Sequence, residues 1–167
     1  MITLHLPDGS PLELEDGATG YDAAAAIGPR LAKSAVAVRI DGVLLDLHRP
    51  VPADGTLEVV TEATEEGRHI LRHSAAHILA QAVLDLFEGA TFAIGPPIED
   101  GFYYDFDIGR PFTPEDLERI EARMAEIVGA DQSFDREAFS KSEALEVFAD
   151  HPFKVEIIES VDEDEGA

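Results

Sequence analysis

Turn signals recur so closely through residues 1–62 that no long regular element fits between them: Pro7-Asp8-Gly9-Ser10, Gly28-Pro29, Asp41-Gly42 and Ala53-Asp54-Gly55 cut the segment into short apolar runs. Ile2 to Leu6 and Leu12 to Leu14 flank the first signal and read as a β-hairpin. Thr19 is placed to cap a short helix through Tyr21 and the alanines Ala23 to Ala26, stopping at Gly28-Pro29. Ala35 to Ile40 and Val43 to Asp46 flank Asp41-Gly42, a pair that tolerates positive φ in a two-residue turn, and Leu57 to Val60 supplies a last strand. The order β-β-α-β-β-β predicts one helix laid across a mixed sheet.

That order is the ubiquitin-like β-grasp, and the polar stretch Thr61 to Gly67 closes it, which puts a domain boundary near residue 62. The pattern then changes. Ile70, His73, His77, Ala80, Leu84 and Phe87 recur at spacings of three and four, one face of a helix ending near Gly89. Phe92 to Ile94 and Gly101 to Phe106 read as a strand pair. Thr113 caps a further helix with Pro114 at its first position and Gly129 after its end, and Ser140 with Glu143 has capping-box spacing for a shorter one. Lys154 to Ile158 reads as a final strand, and the tail after Ser160 as disordered. The fold class is therefore α+β, with a β-grasp domain at 1–62 and a second α+β domain at 63–167.

Composition narrows the function. With 45% apolar residues in 167, the chain can fill one ordinary core or two small ones. No apolar run reaches the length of a membrane span, and the N-terminus lacks the basic start and cleavage site of a signal peptide, so a cytoplasmic protein that meets no membrane is expected. The absence of cysteine excludes disulfides and thiolate metal sites within these residues. A net charge of −23, from 35 acidic against 12 basic residues, argues against a large nucleic-acid footprint. More than half of that excess lies in residues 112–167, which hold 17 acids and 5 bases, as a solvated repelling surface or as an acidic interaction tail.

Four residues could carry chemistry. His73 and His77, in His-Ser-Ala-Ala-His, stand one helical turn apart, close enough to share a metal or to grip one substrate. Ser74 stands where a zinc protease would need glutamate, and taken alone the pair reads first as structural, with both rings hydrogen-bonded, and second as functional. Tyr104 sits in an aromatic run whose other members, Phe102, Tyr103 and Phe106, read as sheet core. Lys154, one of three lysines in the chain, lies in an acidic segment, where it either holds an anionic group or forms a surface ion pair. No phosphate-binding glycine loop is present.

Leu6-Pro7-Asp8-Gly9-Ser10, Ala26-Ile27-Gly28 with Leu31-Ala32-Lys33, Arg72 to His77 with Gln81-Ala82, and Ala93-Ile94-Gly95-Pro96 with Asp100 to Asp105 occur in an order and spacing that resembles the amino-terminal portion of threonyl-tRNA synthetases. The first part resembles their TGS domain and the second their editing domain, related to that of alanyl-tRNA synthetase. The resemblance implies that His73, His77 and Tyr104 line a pocket for the misacylated 3′ end of threonine-specific tRNA, with His73 and Lys154 catalytic and His77 and Tyr104 binding substrate. It implies no metal at this site. A downstream Cys-x-x-x-His segment would complete the pocket. ATP, magnesium and zinc would belong to a catalytic core that is also downstream, through which the synthetase would form a homodimer. Two alternatives stand beside this reading: a free-standing hydrolase of mischarged tRNA, and a non-catalytic TGS binding module.

Overall fold

The computed structural model describes residues 1–52, 54–93, 95, 97–132, 137–150 and 152–160. The chain divides into two compact units, 1–74 with 98–101, and 75–97 with 102–167.

The first unit is a five-stranded mixed sheet with helices packed on it. Strands β1 (Ile2–His5), β2 (Pro11–Leu14), β3 (Ala35–Ile40), β4 (Val43–Asp46) and β5 (Gly55–Thr61) stand in the order β2-β1-β5-β3-β4. β1 runs parallel to β5, with Leu4 opposite Gly55, and the other neighbours are antiparallel. Alternate strand residues face the helices: Ile2, Leu4, Leu14, Val38, Ile40 and Leu57 are buried in one cluster with Ala23. Helix α1 (Gly20–Ile27) starts where Thr19 and Asp22 form a reciprocal capping box. The unit is thus the expected β-grasp, with one addition. Gly28-Pro29 ends α1 and also begins a second short helix, α2 (Pro29–Ser34), because proline at the first helical position loses no hydrogen bond.

After the sheet comes a 22-residue helix, α3 (Glu65–Leu86). Its buried residues include Ala76, Ala80, Ala82 and Val83, whereas His73, His77 and Leu84 are exposed. The burial boundary therefore cuts through the face predicted from periodicity, and both histidines fall on its solvent side.

In the second unit Ala82 and Val83 pack against Ile120 and Ile127 of α4 (Pro114–Gly129), with Phe87, Phe106, Phe112 and Met124 around them. The ladder β6 (Thr91–Phe92) to β9 (Phe106–Asp107) keeps only the two ends of the expected pair, Phe92 opposite Phe106, because Gly101–Phe102 pairs elsewhere. Ile94 lies outside the described residues. A further small ladder joins β7 (Pro97–Ile98) to β8 (Gly101–Phe102). Tyr103 is 54% exposed and is not the core residue that its aromatic surroundings suggested. Thr113 caps α4 as expected, but Gly129 is its last residue rather than the one beyond it. Ser140 caps α5 (Lys141–Val147). The segment around Lys154 corrects the sequence reading: it is a helix, α6 (Pro152–Ser160), not a strand. A strand needs a neighbour to take its backbone N–H and C=O groups, no described strand pairs there, and a helix satisfies those groups within the segment. The residues after Ser160 lie outside the described ones.

Asp116 is the buried charged residue of α4, 4% exposed. Its carboxylate accepts from Arg110 at 2.5 and 3.1 Å and from the Thr113 backbone N–H at 3.0 Å. The Arg110 hydrogen bond first, and then that of Thr113, hold the carboxyl well below the usual carboxylate range. A group with a depressed folded pKa stabilises the protein above its unfolded pKa, about 3.9 for Asp, and loses that contribution as pH falls. Asp116→Asn is therefore expected to flatten the fall in melting temperature between about pH 4 and pH 2, measured by circular dichroism, with Asp8, Asp22, Glu65 and Glu143, whose carboxyls are also held low by hydrogen bonds, contributing to the acid dependence that remains.

Candidate functional site

The start of α3 is fixed locally. The Thr64 hydroxyl accepts the Gly67 N–H at 3.0 Å, and Glu65 and Glu66 place negative charge in the first turn, where the helix dipole favours it. Two turns further on, His73 and His77 are exposed, four residues apart on one helix. Small buried alanines, Ala76 and Ala80, occupy the neighbouring stripe, so α3 packs closely through that stripe while the imidazoles stay accessible. Such a pair can bind one group from one wall and exchange protons with it.

Tyr104 lies between β8 and β9. Its ring stacks on Phe106, with centroids 4.8 Å apart and planes at 21°, and meets Phe92 edge-on at 5.7 Å. The Gly95 backbone lies against the same ring: a Cβ built there would be 2.1 Å from Cδ2 of Tyr104. Burial pushes the phenol pKa up, so the hydroxyl stays protonated and able to donate. Lys154, on α6, holds its Nζ 4.4 Å from the centre of the Phe148 ring and 5.7 Å from that of Phe92. Two aromatic faces thus hold the ammonium without neutralising it.

Tyr104 and Lys154, 50 residues apart in sequence, therefore meet at one ring, Phe92. The structure describes two groupings of the predicted residues: the histidine pair on α3, and Tyr104 with Lys154 around Phe92. Phe92, Gly95 and Phe148 were not singled out by the sequence. The available signal was Gly95 beside Pro96 next to an aromatic run, a place where backbone approaches a ring. Gly95→Ala is expected to displace the Tyr104 ring and cost about 1–3 kcal/mol by overpacking. Loss of Tyr104–Phe106 ring contacts by NMR, with a lower unfolding midpoint, would verify it.

Among the described residues no group of three or more His, Asp or Glu side chains is placed to hold a metal ion. Among the same residues, no helix is long and apolar enough to cross a membrane.

The family model described as the TGS domain matches residues 2–61. The chain is 52% identical over 159 residues to the threonine–tRNA ligase of Pelobacter propionicus, covering 94% of this chain and 25% of that protein. It is 48% identical over 167 residues to that of Symbiobacterium thermophilum, covering 99% and 26%, and 47% identical over 161 residues to that of Rubrobacter xylanophilus, covering 96% and 25%. The chain spans about a quarter of the length of these curated relatives. Residues 2–61 are thus a TGS domain, and the chain as a whole matches the amino-terminal portion of threonine–tRNA ligases.

Proposed function

We propose that this chain works as the front portion of a threonine–tRNA ligase and that residues 63–167 take part in hydrolytic editing of seryl-tRNA. The observation that carries this reading is the 52% identity to such a ligase across 94% of the chain, a stretch of sequence that includes His73, His77, Tyr104 and Lys154. The chemical need is plain. Serine differs from threonine by one methyl, and a difference of that size yields only about 1–3 kcal/mol of discrimination in a binding pocket. A second site that destroys the wrong product supplies the rest.

The oxygen of a water molecule attacks the ester carbonyl carbon of seryl-tRNA while His73 takes the water proton. The carbonyl π electrons move to oxygen, and the Lys154 ammonium stabilises the resulting oxyanion. Collapse of this intermediate breaks the bond to the ribose oxygen, which receives the proton back from His73. The products are free serine and a tRNA 3′ end with its hydroxyl restored. His77 and the protonated phenol of Tyr104 hold the substrate in register, and threonine's extra methyl is excluded sterically. These steps use water and the chain's own side chains.

The test is to incubate the purified chain with threonine-specific tRNA charged with serine or with threonine and to follow release of the amino acid. Serine release well above the spontaneous rate, with the threonyl ester spared, is the expected result. No acceleration with either ester would overturn the hydrolytic role of these residues in this chain, and tRNA binding without hydrolysis would favour the non-catalytic TGS module.

A further inference from the structure

The β-grasp sheet and the start of α3 meet closely at one point. Gly67, in the first turn of α3, is buried against the end of β5, where a Cβ would lie 1.9 Å from the Thr61 carbonyl oxygen. Thr64 bridges the same place, donating its hydroxyl to the Thr61 carbonyl at 2.8 Å and accepting the Gly67 N–H at 3.0 Å. The Arg68 guanidinium reaches back to the Ala63 carbonyl at 2.7 Å. These contacts cluster at one point and make a pivot. A helix held at that point can still swing, and a second tie from the same turn, anchored on the sheet three residues from Thr61, is needed to set direction.

Arg39 supplies that attachment. It sits on β3 directly opposite Glu58 of β5 and donates to it at 3.0 Å, while its other terminal nitrogen lies 2.6 Å from both carboxylate oxygens of Glu66 on α3. Partly exposed ion pairs such as this add little to stability, so its importance lies in orientation. His73 is seven residues beyond Glu66, about 10 Å along the helix axis, and a swing of about 10° at the pivot moves it by about 2 Å.

We infer that Arg39, a residue of the TGS domain, is a positioning residue for His73, fixing the direction of residues 65–74 of α3 through Glu66 so that the sheet serves as the reference body for the histidine. Its link to catalysis rests on the proposed hydrolytic role of His73, but the strut itself can be measured without it.

The experiment uses the full chain with Arg39→Gln, Glu66→Gln, Arg39→Lys and, as control, Glu58→Gln, which removes the contact within the sheet and spares the one to the helix. Residual dipolar couplings report orientation directly. Amides of β3, β5 and residues 68–74 are expected to fit one alignment tensor in the wild type and in Glu58→Gln, and to need two in Arg39→Gln and Glu66→Gln. Seryl-tRNA hydrolysis is expected to lose about tenfold in kcat in those two variants with KM within about twofold, since misplacement of about 1 Å can cost up to 100-fold. Arg39→Lys, which keeps the charge, is expected to recover most of it. A single tensor in Glu66→Gln, or an equal loss of kcat in Glu58→Gln, would overturn the inference. Should the wild type hydrolyse nothing, the reaction reading alone falls and the couplings still decide whether Arg39 holds the helix.

Discussion

Replacing His73 by alanine is expected to slow seryl-tRNA hydrolysis by about 10²–10⁴-fold, the usual worth of a positioned general base. The side chain is exposed on α3, so its removal opens no cavity, and alanine is the better helix former. Circular dichroism of the variant separates a chemical loss from a structural one. The loss should fall on kcat, because a base acts on the water in the transition state and contributes little to holding the ester. His77→Ala, one turn away, should raise KM instead, as suits a residue that orients substrate. Single-turnover kinetics of the two variants beside circular dichroism would decide the assignment. A His73→Ala chain that hydrolyses at the wild-type rate would remove His73 from the reaction.

Leu4→Ala is expected to destabilise the first unit by about 2–5 kcal/mol, the range for emptying a leucine site in a packed core. Leu4 is fully buried, at 0% exposed, on a strand flanked on both sides by β2 and β5, and its neighbours include other fully buried side chains such as Val38 and Leu57. Such a site cannot collapse without moving a strand, which places the cost toward the upper part of that range. Small domains are stable by only about 5–15 kcal/mol, so the loss is a large share of the total. The slowest-exchanging amides of β3 and β5 report the opening energy of the unit, and their protection should fall by the corresponding factor. Val43→Ala, at a position 62% exposed on the edge strand β4, should change little and serves as the contrast.

Features that close within four residues were legible in the sequence. Thr19 with Asp22, Thr113 with Asp116 and Ser140 with Glu143 each form a reciprocal box in the structure, because both halves of the interaction lie in one helical turn. Asp41, at φ 49°, and Gly42, at φ 84°, make the turn that their pairing announced. The readings that needed partners fared less well. The segment around Lys154 has the apolar alternation of a strand, yet periodicity does not reveal whether a neighbouring strand exists to accept it. The burial boundary on α3 was hidden because alanines form much of the buried stripe, and alanine is a weak marker of burial. Gly28-Pro29 was read as a stop because it is one, and its second role as a start depends on whether Arg30 to Ser34 take up a helical turn. Tyr104 and Lys154 were named from local pattern and resemblance, but their meeting at Phe92 joins three separate segments and has no sequence signature.

The strand made last in the β-grasp sheet stands at its centre. In the order β2-β1-β5-β3-β4, β5 alone joins the pair made from the first 14 residues to the pair made from residues 35–46. Until β5 is present the sheet exists only as two separate hairpins, and an isolated hairpin is marginally stable at best in water. On the ribosome, the unit therefore closes in one late step. Its core residues must wait through the synthesis of some fifty others between Leu4 and its partner Gly55 before the parallel pair can form. A nascent chain stalled before residue 55 should be open to protease along its whole length, and one released past residue 61 should become resistant abruptly rather than strand by strand.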